Sequence, residues 1–270
     1  NNWKSILESK KTFFSDGTDC SMFIGVVIEN LNNKIVPKWI TEKLRLSNLV
    51  PSNSLLDFQN YILLETGYPF EFYDLEKIYS EIKDSNFNLS IKTVKSNQKF
   101  LASNGISYEL DNSILTVNAN DVPISIAGII EANKFVISES PTSFLIEGSI
   151  FDAAKIRQQS RKLNLRTDRS ARYEKSIKIT YLKESLYRLI SLLRISNPNL
   201  ICKIHTIKQS EEKKIAPILL KYETINEILG PISQFPMENE KYLSPTKINE
   251  YLKRLNFQFN YNQTKLSWLI

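Results

Sequence analysis

The residues best suited to acid–base, nucleophilic or metal chemistry are few in this sequence. Its 270 residues include one histidine, His205, and two cysteines, Cys20 and Cys202, which lie far apart along the chain. Metal sites and catalytic pairs built on these residue types need several of them at defined spacings. Histidine-based catalysis is therefore poorly supported, and free thiols in a reducing compartment are the simpler interpretation of the cysteines.

Basic side chains are the second group that could do chemistry. They recur at short intervals between residues 157 and 172, and the whole chain carries a net charge of +6. Such a run can contact the phosphates of RNA, although a solvated helix face is the alternative. The candidate RNA contacts are Arg157, Arg161, Arg166 and Arg172.

The elements that would position these residues follow from the apolar pattern. Residues 22–29 are apolar and β-branched, which predicts a buried strand. Short runs between 87 and 147, among them 134–138, predict an antiparallel or mixed sheet. Apolar periodicity and capping residues predict helices after Pro37 and at 54–67, 151–165 and 178–195.

Two structural units are predicted, at residues 1–205 and 206–270, with the polar segment 207–214 as the candidate linker. The second unit contains a strand, two helices and a terminal hairpin, which resembles a small winged helix, and we expect it to be truncated at its C-terminal end. The predicted fold class is α+β. It combines an antiparallel or mixed sheet and flanking helices with this small α+β unit.

The composition excludes several classes of protein. Hydrophobic residues make up 42% and charged residues 24% of the chain, as in globular proteins, and no apolar run is long enough to span a membrane. The first residues lack the apolar core of a signal peptide, and the missing initial Met suggests a fragment. Abundant Asn, Lys and Ile, with only 7 glycines, indicate an AT-rich genome.

Four blocks of sequence carry a resemblance to a known family. Residues 56–74 read LDFQNYILLETGYPFEFYD, and the beta subunits of phenylalanine–tRNA ligases have a run close to V-D-x-T-N-Y-V-x-x-E-x-G-Q-P-L-H-x-F-D. Residues 126–130, 145–152 and 156–174 are similar to that family's L-A-G-V-M, L-E-A-A-x-F-D and I-R-x-x-x-R-x-L-x-L-x-T-x-A-S-x-R-F-E segments. The blocks occur in the family's order, so the chain resembles this family over nearly all of residues 20–270.

The resemblance implies the function of an enzyme subunit. In this family two alpha and two beta subunits attach phenylalanine to its tRNA with ATP and magnesium, and the synthetic active site lies in the alpha subunit. This part of the beta chain resembles the editing domain, which hydrolyses tyrosine wrongly attached to the tRNA. The family's acidic magnesium cluster would lie beyond Ile270. We therefore expect no residue catalytic for aminoacylation, no metal ligand and no bound ATP in this fragment.

The resemblance also implies the residues of an editing pocket. Glu147 matches the family's glutamate that recognises the phenol hydroxyl of tyrosine. A buried acceptor discriminates well there, because phenylalanine would leave it unpaired. Gly128, which has no side chain, would let a ligand approach the backbone closely. The other matched positions are Asn60, Pro69, Ala127 and Thr167.

Three pocket positions depart from the family pattern. Gln59 stands where the family has Thr, Glu71 where it has His, and Arg169 where it has Ala. Glu71 could act as a general base near neutral pH if burial raised its pKa, whereas Arg169 would fill a pocket built for a small residue. We therefore expect an editing pocket that has degenerated.

Several alternatives remain open from the sequence. The chain could be an active hydrolase of mischarged tRNA, or a stand-alone RNA-binding module. Glu147 could pair with Arg157 or Arg161, Asn60 could bridge groups in the core, and the aromatic residues at 61–73 are expected to be core. Composition and the altered motif favour a plastid-encoded subunit in the chloroplast stroma over a subunit in the cytoplasm of an AT-rich bacterium.

Overall fold

In the computed structural model the chain divides into two units, Asn1–Glu211 and Glu212–Ile270. The predicted boundary at 205/206 falls inside a strand that continues to Gln209, because this strand pairs with a neighbour along its whole length. The first residues of the predicted linker therefore belong to that strand. The residues that the structure describes are 12–13, 19–32, 35–94, 97–139, 141–210, 216–232 and 241–270.

The first unit mixes strands and helices along the chain. Its strands are β1 (Thr12–Phe13), β2 (Cys20–Glu29), β3 (Phe70–Asp74), β4 (Leu89–Thr93), β5 (Gln98–Leu101), β6 (Ser107–Leu110), β7 (Leu115–Ala119), β8 (Val122–Ile126), β9 (Ile130–Glu131), β10 (Phe144–Phe151) and β11 (Ile201–Gln209). Its helices are α1 (Lys38–Leu46), α2 (Leu55–Thr66), α3 (Leu75–Ile82), α4 (Ala153–Lys162), α5 (Asp168–Tyr173) and α6 (Leu182–Ser196).

The strands of this unit form two larger sheets and a hairpin. The central sheet has five strands in the order β1-β11-β2-β10-β3, antiparallel except for the parallel pair β1–β11. A four-stranded antiparallel sheet has the order β4-β7-β8-β9, and β5 pairs with β6. The predicted α+β class with antiparallel or mixed sheets is confirmed.

The strands β2, β10 and β3 of the central sheet are buried on both faces, to which their successive side chains point in alternation. On β2, Met22 and Ile24 pack with the apolar side chains of α1, α2 and α6. Phe23 and Val27 pack with the four-stranded sheet and α4. Burial on both sides explains the continuous apolar run at 22–29. The polar side chains that β3 and β10 carry on the face toward the four-stranded sheet are therefore enclosed in the core.

Helix α2 leads directly into β3. Asp57 is fully buried, and its carboxylate accepts hydrogen bonds from the backbone N–H groups of Ser52 and Asn53 at 2.8 and 2.9 Å. Gly67 ends the helix at a φ of 78°, as the sequence predicts. The turn that follows leaves Phe70–Asp74 extended beside β10, with every residue buried.

One predicted strand is absent from the described residues. Residues 134–138 are predicted to be a strand, but Asn133–Phe135 form a short 3-10 helix whose Phe135 side chain lies in the core. A run of five residues is too short for its apolar spacing to distinguish a strand from a single helical turn. The helix predicted at 178–195 likewise begins with the 3-10 turn Ile179–Tyr181 before α6.

The second unit has the predicted order of strand, two helices and hairpin. The elements are β12 (Leu219–Lys221), α7 (Tyr222–Leu229), α8 (Pro245–Arg254), β13 (Asn260–Asn262) and β14 (Ser267–Leu269). Ser244 caps α8, and Trp268 is fully buried with Ile248 and Leu252 of that helix. The strands pair in the order β12-β14-β13, all antiparallel.

Two glycines with positive φ allow the energetic cost of backbone strain to be distinguished from the cost of a steric clash. Gly128 has a φ of 69°, and a Cβ atom there would lie 2.9 Å from Ile156 and 3.0 Å from Phe151. Gly105 has a φ of 79° and open space around it. We expect Gly128→Ala to lower the free energy of unfolding by about 2–4 kcal/mol, because strain and a steric clash add. Gly105→Ala, with strain alone, should cost about 1 kcal/mol. Urea unfolding measures both, and equal losses would contradict the packing role of Gly128.

Candidate functional site

A cleft of about 290 Å³ lies where five segments of the first unit meet. Its walls are formed by helix α2, residues 69–71 at the start of β3, Ser103, residues 129–131 and the start of α5. Three matched positions and all three substituted positions line it, although they are scattered over more than a hundred residues of sequence. They are Asn60, Pro69 and Thr167, and Gln59, Glu71 and Arg169.

The three substituted positions form one contiguous cluster. Gln59 Nε2 donates hydrogen bonds to Glu71 Oε1 at 2.7 Å and to the carbonyl oxygen of Phe70 at 2.8 Å. Glu71 Oε2 forms an ion pair with Arg169 Nη1. The departures from the family pattern are therefore structurally linked, since Glu71 contacts both of the others.

The ion pair is withdrawn from water. The side chains of Arg169 and Glu71 are 11% and 4% exposed. Burial lowers the pKa of Arg169 to about 10, so the guanidinium remains charged at neutral pH. An uncompensated buried charge is strongly destabilising, which makes each partner necessary to the other.

Helix α5 positions Arg169 at the cleft with the help of its N-cap residue. Thr167 is the N-cap of α5 and accepts a hydrogen bond from the backbone N–H of Ser170. Its Oγ1 also donates to the carbonyl oxygen of Ile129 at 2.8 Å. This bond ties α5 to the segment after β8, and it places Arg169, in the first turn of the helix, beside Glu71.

Glu147 lies directly beside Glu71 on the neighbouring strand. The register pairs Glu147 of β10 with Glu71 of β3, so both side chains point to the same face of the sheet. Glu147 is 2% exposed. Its Oε1 accepts a hydrogen bond from Ser149 Oγ at 2.7 Å, and its Oε2 accepts one from the Tyr73 hydroxyl. Burial raises the pKa of Glu147.

Apart from the buried Arg169, the arginine residues between 157 and 172 lie at the surface. Arg157 Nη2 donates to the carbonyl oxygen of Glu174 at 2.8 Å. Glu147 hydrogen-bonds to Tyr73 and Ser149 instead of pairing with an arginine. RNA contact by the four candidates stays a prediction. All of them are exposed: Arg157, Arg161, Arg166 and Arg172.

Three matched positions are outside the set of residues that line the cleft: Ala127, Gly128 and Glu147. Gln159 donates to the carbonyl oxygen of Ala127 at 2.7 Å and accepts from the backbone N–H of Leu115 at 3.1 Å. Gln159, which sequence reasoning missed, thereby ties α4 to the four-stranded sheet. The positive φ of Gly128 and the side chains packed around it account for the glycine at this position, and ligand approach there stays a prediction.

The hydroxyl groups that bind Glu147 were also missed from the sequence. Tyr73 is a core aromatic residue, as expected, and its hydroxyl lies 2.9 Å from Ser125 Oγ in addition to contacting Glu147. The family patterns quoted above have Phe at the position of Tyr73 and Ala at the position of Ser149. Both hydroxyl groups are therefore departures that the pattern itself could have revealed.

The remaining candidates for chemistry lie away from the cleft. His205 stacks on Phe87 with ring centroids 4.5 Å apart, and burial lowers its pKa. Cys20 and Cys202 are not joined in a disulfide bond. Within the described ranges, no group of three or more His, Cys, Asp and Glu side chains could hold a metal ion. No helix in the described part of the chain is both long and apolar enough to cross a membrane.

Glu147→Gln tests how the buried carboxyl affects stability. The pKa of Glu147 is held above its ordinary value of 4.5, so the folded chain keeps a proton that the unfolded chain loses as the pH rises. Relative to Glu147→Gln, the wild-type chain should lose up to about 1.4 kcal/mol of stability per pH unit between 4.5 and the folded-state pKa. Urea unfolding at a series of pH values measures this difference.

Glu65→Gln is the matched control for this measurement. Arg188 hydrogen-bonds to Glu65 and lowers its pKa. The stabilisation from Glu65 is present above the unfolded-state pKa and is lost as the pH falls, which is the opposite dependence. The same direction of change for both variants would contradict the placement of Glu147 in the core.

The chain has relatives among known proteins. The B3/4 domain model matches residues 19–196. The chain is 55% identical over 267 residues to the chloroplastic phenylalanine–tRNA ligase beta subunit of Phaeodactylum tricornutum, covering 99% of this chain and 38% of that protein. It is 34% identical over 247 residues to the phenylalanine–tRNA ligase beta subunit of Prochlorococcus marinus, covering 86% of this chain and 30% of that protein. The chain thus spans about a third of the length of these curated relatives.

A solved structure also aligns with the chain. It is an N-terminal fragment of the phenylalanyl-tRNA synthetase beta subunit from Pyrococcus horikoshii, with a TM-score of 0.42 and 11% identity, covering 92% of this chain and 64% of that one. A TM-score of 0.42 is too low to support an argument about the fold, so the fold class rests on the strand pairings described above. The sequence matches confirm the resemblance seen in the four blocks. Because the domain model covers more than half of its residues, the chain belongs to the B3/4 domain family.

Proposed function

We propose that this chain is part of a phenylalanine–tRNA ligase beta subunit and supports the ATP-dependent attachment of phenylalanine to its tRNA by a partner alpha subunit. Relatives that are 55% and 34% identical carry that name. The complex would contain two alpha and two beta subunits. Mg²⁺ and ATP would serve the whole enzyme, and this chain would contribute to assembly and to tRNA placement.

The cleft is, in this proposal, an editing pocket that has been closed by its own side chains. The observation that carries this is the cluster of Gln59, Glu71 and Arg169. Hydrolysis of an aminoacyl ester needs a water molecule held beside a free base. Glu71 is a poor base here, because Gln59 binds one carboxylate oxygen and Arg169 binds the other. Arg169 also takes up space that a small residue would leave to a ligand.

Two further carboxylates favour the same conclusion. Glu131 and Asp168 line the cleft together with Glu71. The 3′ end of a tRNA carries phosphates, and these carboxylates would repel it at the entrance. In this proposal Arg169 hinders a ligand sterically, and Glu131 and Asp168 hinder it by charge repulsion.

The outer surface and the location complete the proposal. The exposed arginines at 157, 161, 166 and 172 would contact the tRNA backbone, since guanidinium groups pair well with phosphates. The name of the Phaeodactylum relative includes "chloroplastic". A plastid, and within it the stroma, is therefore the proposed location, with a bacterial cytoplasm as the alternative.

The test uses enzyme assembled from the alpha subunit and the full-length beta chain. We expect the complex to charge phenylalanine tRNA and the alpha subunit alone to charge it poorly or not at all. We also expect tyrosyl-tRNA with the phenylalanine anticodon to lose tyrosine only at the spontaneous rate, because both carboxylate oxygens of Glu71 are bound by Gln59 and Arg169. Acid-precipitable aminoacyl-tRNA and released tyrosine measure the two reactions.

Two variants interpret the release assay. Glu147→Ala removes the matched glutamate, and Arg188→Ala is a surface control. Release above the spontaneous rate that is lost in Glu147→Ala and kept in Arg188→Ala would establish an active hydrolase. Full charging by the alpha subunit alone would contradict the subunit role. If the beta chain also bound tRNA without affecting charging, a stand-alone RNA-binding module would be the better description.

A further inference from the structure

Both oxygens of the Glu147 carboxylate are bound by hydroxyl groups of the same chain. Tyr73, on the neighbouring strand β3, donates to Oε2, and Ser149, two residues along β10, donates to Oε1 at 2.7 Å. Tyr73 is fully buried and Glu147 is 2% exposed. The carboxylate is therefore satisfied within the core before any ligand arrives.

The phenol group of Tyr73 is itself held at both of its hydrogen-bonding positions. A phenol hydroxyl has one proton to donate and can also accept. Its oxygen contacts Glu147 Oε2 and lies 2.9 Å from Ser125 Oγ on β8, and Ser125 is fully buried as well. The ring thus spans the space between the two sheets, with its hydroxyl fixed by one group from each.

We propose that this part of the core is a binding site for a phenol group, occupied by the side chain of Tyr73. Glu147 and Ser125 provide the polar end of the site, and the apolar residues between the sheets provide its walls. The ligand class is a phenol, which Glu147 distinguishes from benzene by its hydroxyl. An external phenol would have to displace a ring that is tethered to the same strand.

The consequence for editing rests on the proposed function. A tyrosyl group that passed the cluster of Gln59, Glu71 and Arg169 would find the acceptor oxygens of Glu147 taken. Tyr73 is therefore a second block, independent of the first. Because Tyr73 occupies Glu147, the site could no longer distinguish tyrosine from phenylalanine. The ion pair of Glu71 and Arg169, in contrast, binds the candidate base and fills space in the cleft.

The test restores the missing group to a variant of this chain. Tyr73→Ala leaves a cavity of the size of phenol next to Glu147 and Ser125. We expect millimolar phenol to raise the thermal midpoint of Tyr73→Ala by several degrees and benzene to raise it clearly less, because only phenol satisfies both polar groups. Neither compound should shift the wild-type midpoint, since its site is filled.

Phe135→Ala is the matched control, because Phe135 is a buried ring in the same core with no hydroxyl. Phenol should have no advantage over benzene in that cavity. Equal shifts by the two compounds in Tyr73→Ala, or the same preference for phenol in Phe135→Ala, would overturn the proposal. Because folding is measured without tRNA, this result is separate from that of the release assay.

A conservative variant covers the case in which Tyr73→Ala does not fold. Tyr73→Phe keeps the ring and removes only the hydroxyl, which leaves Glu147 without one donor. We expect its urea midpoint to fall, and to fall more than that of Tyr61→Phe, whose hydroxyl bonds to the half-exposed Glu65 at 3.0 Å. An unchanged midpoint in Tyr73→Phe would show that the hydroxyl is not held by Glu147 and would overturn the proposal.

Discussion

The buried ion pair between Glu71 and Arg169 is the interaction on which the cleft depends. A charge in the core is tolerated only with a partner close at hand, so β3 and α5 must be held together. The capping residue Thr167 supports this by bonding to the segment after β8. Gln59 connects helix α2 to the same pair through its hydrogen bond to Glu71. One charge pair thereby fixes segments that are far apart in sequence.

A second constraint comes from the strand register. Glu71 and Glu147 lie opposite each other on β3 and β10, where two like charges would repel. The chain compensates them differently. Glu71 is paired with a cation, while Glu147 is bound by the hydroxyls of Tyr73 and Ser149, and burial raises its pKa. Both carboxyl groups are thus bound by neighbouring side chains of the same chain. The contacts that stabilise them in the fold are the same contacts that, in the proposal, prevent editing.

Local patterns predicted the elements better than they predicted the site. The strand at 22–29 and the helix that ends at Gly67 follow from apolar runs and capping residues, which act over a few positions. The strand predicted at 134–138 failed because five residues give no clear period. The contacts from Glu71 to Gln59 and Arg169 join strands and helices distant in sequence, and no local pattern encodes such contacts. Their only signal was that all three departed from one family pattern.

The coupling energy between Glu71 and Arg169 is the most direct measure of the ion pair on which the cleft depends. It is obtained from the unfolding free energies of Arg169→Ala, Glu71→Gln and the double variant. We expect Arg169→Ala alone to cost about 3–5 kcal/mol, and the double variant to recover at least about 2 kcal/mol of the summed losses. The half-exposed pair Arg188 and Glu65 should couple by less than about 1 kcal/mol. Additive losses at Glu71 and Arg169 would contradict an ion pair that holds the walls of the cleft together.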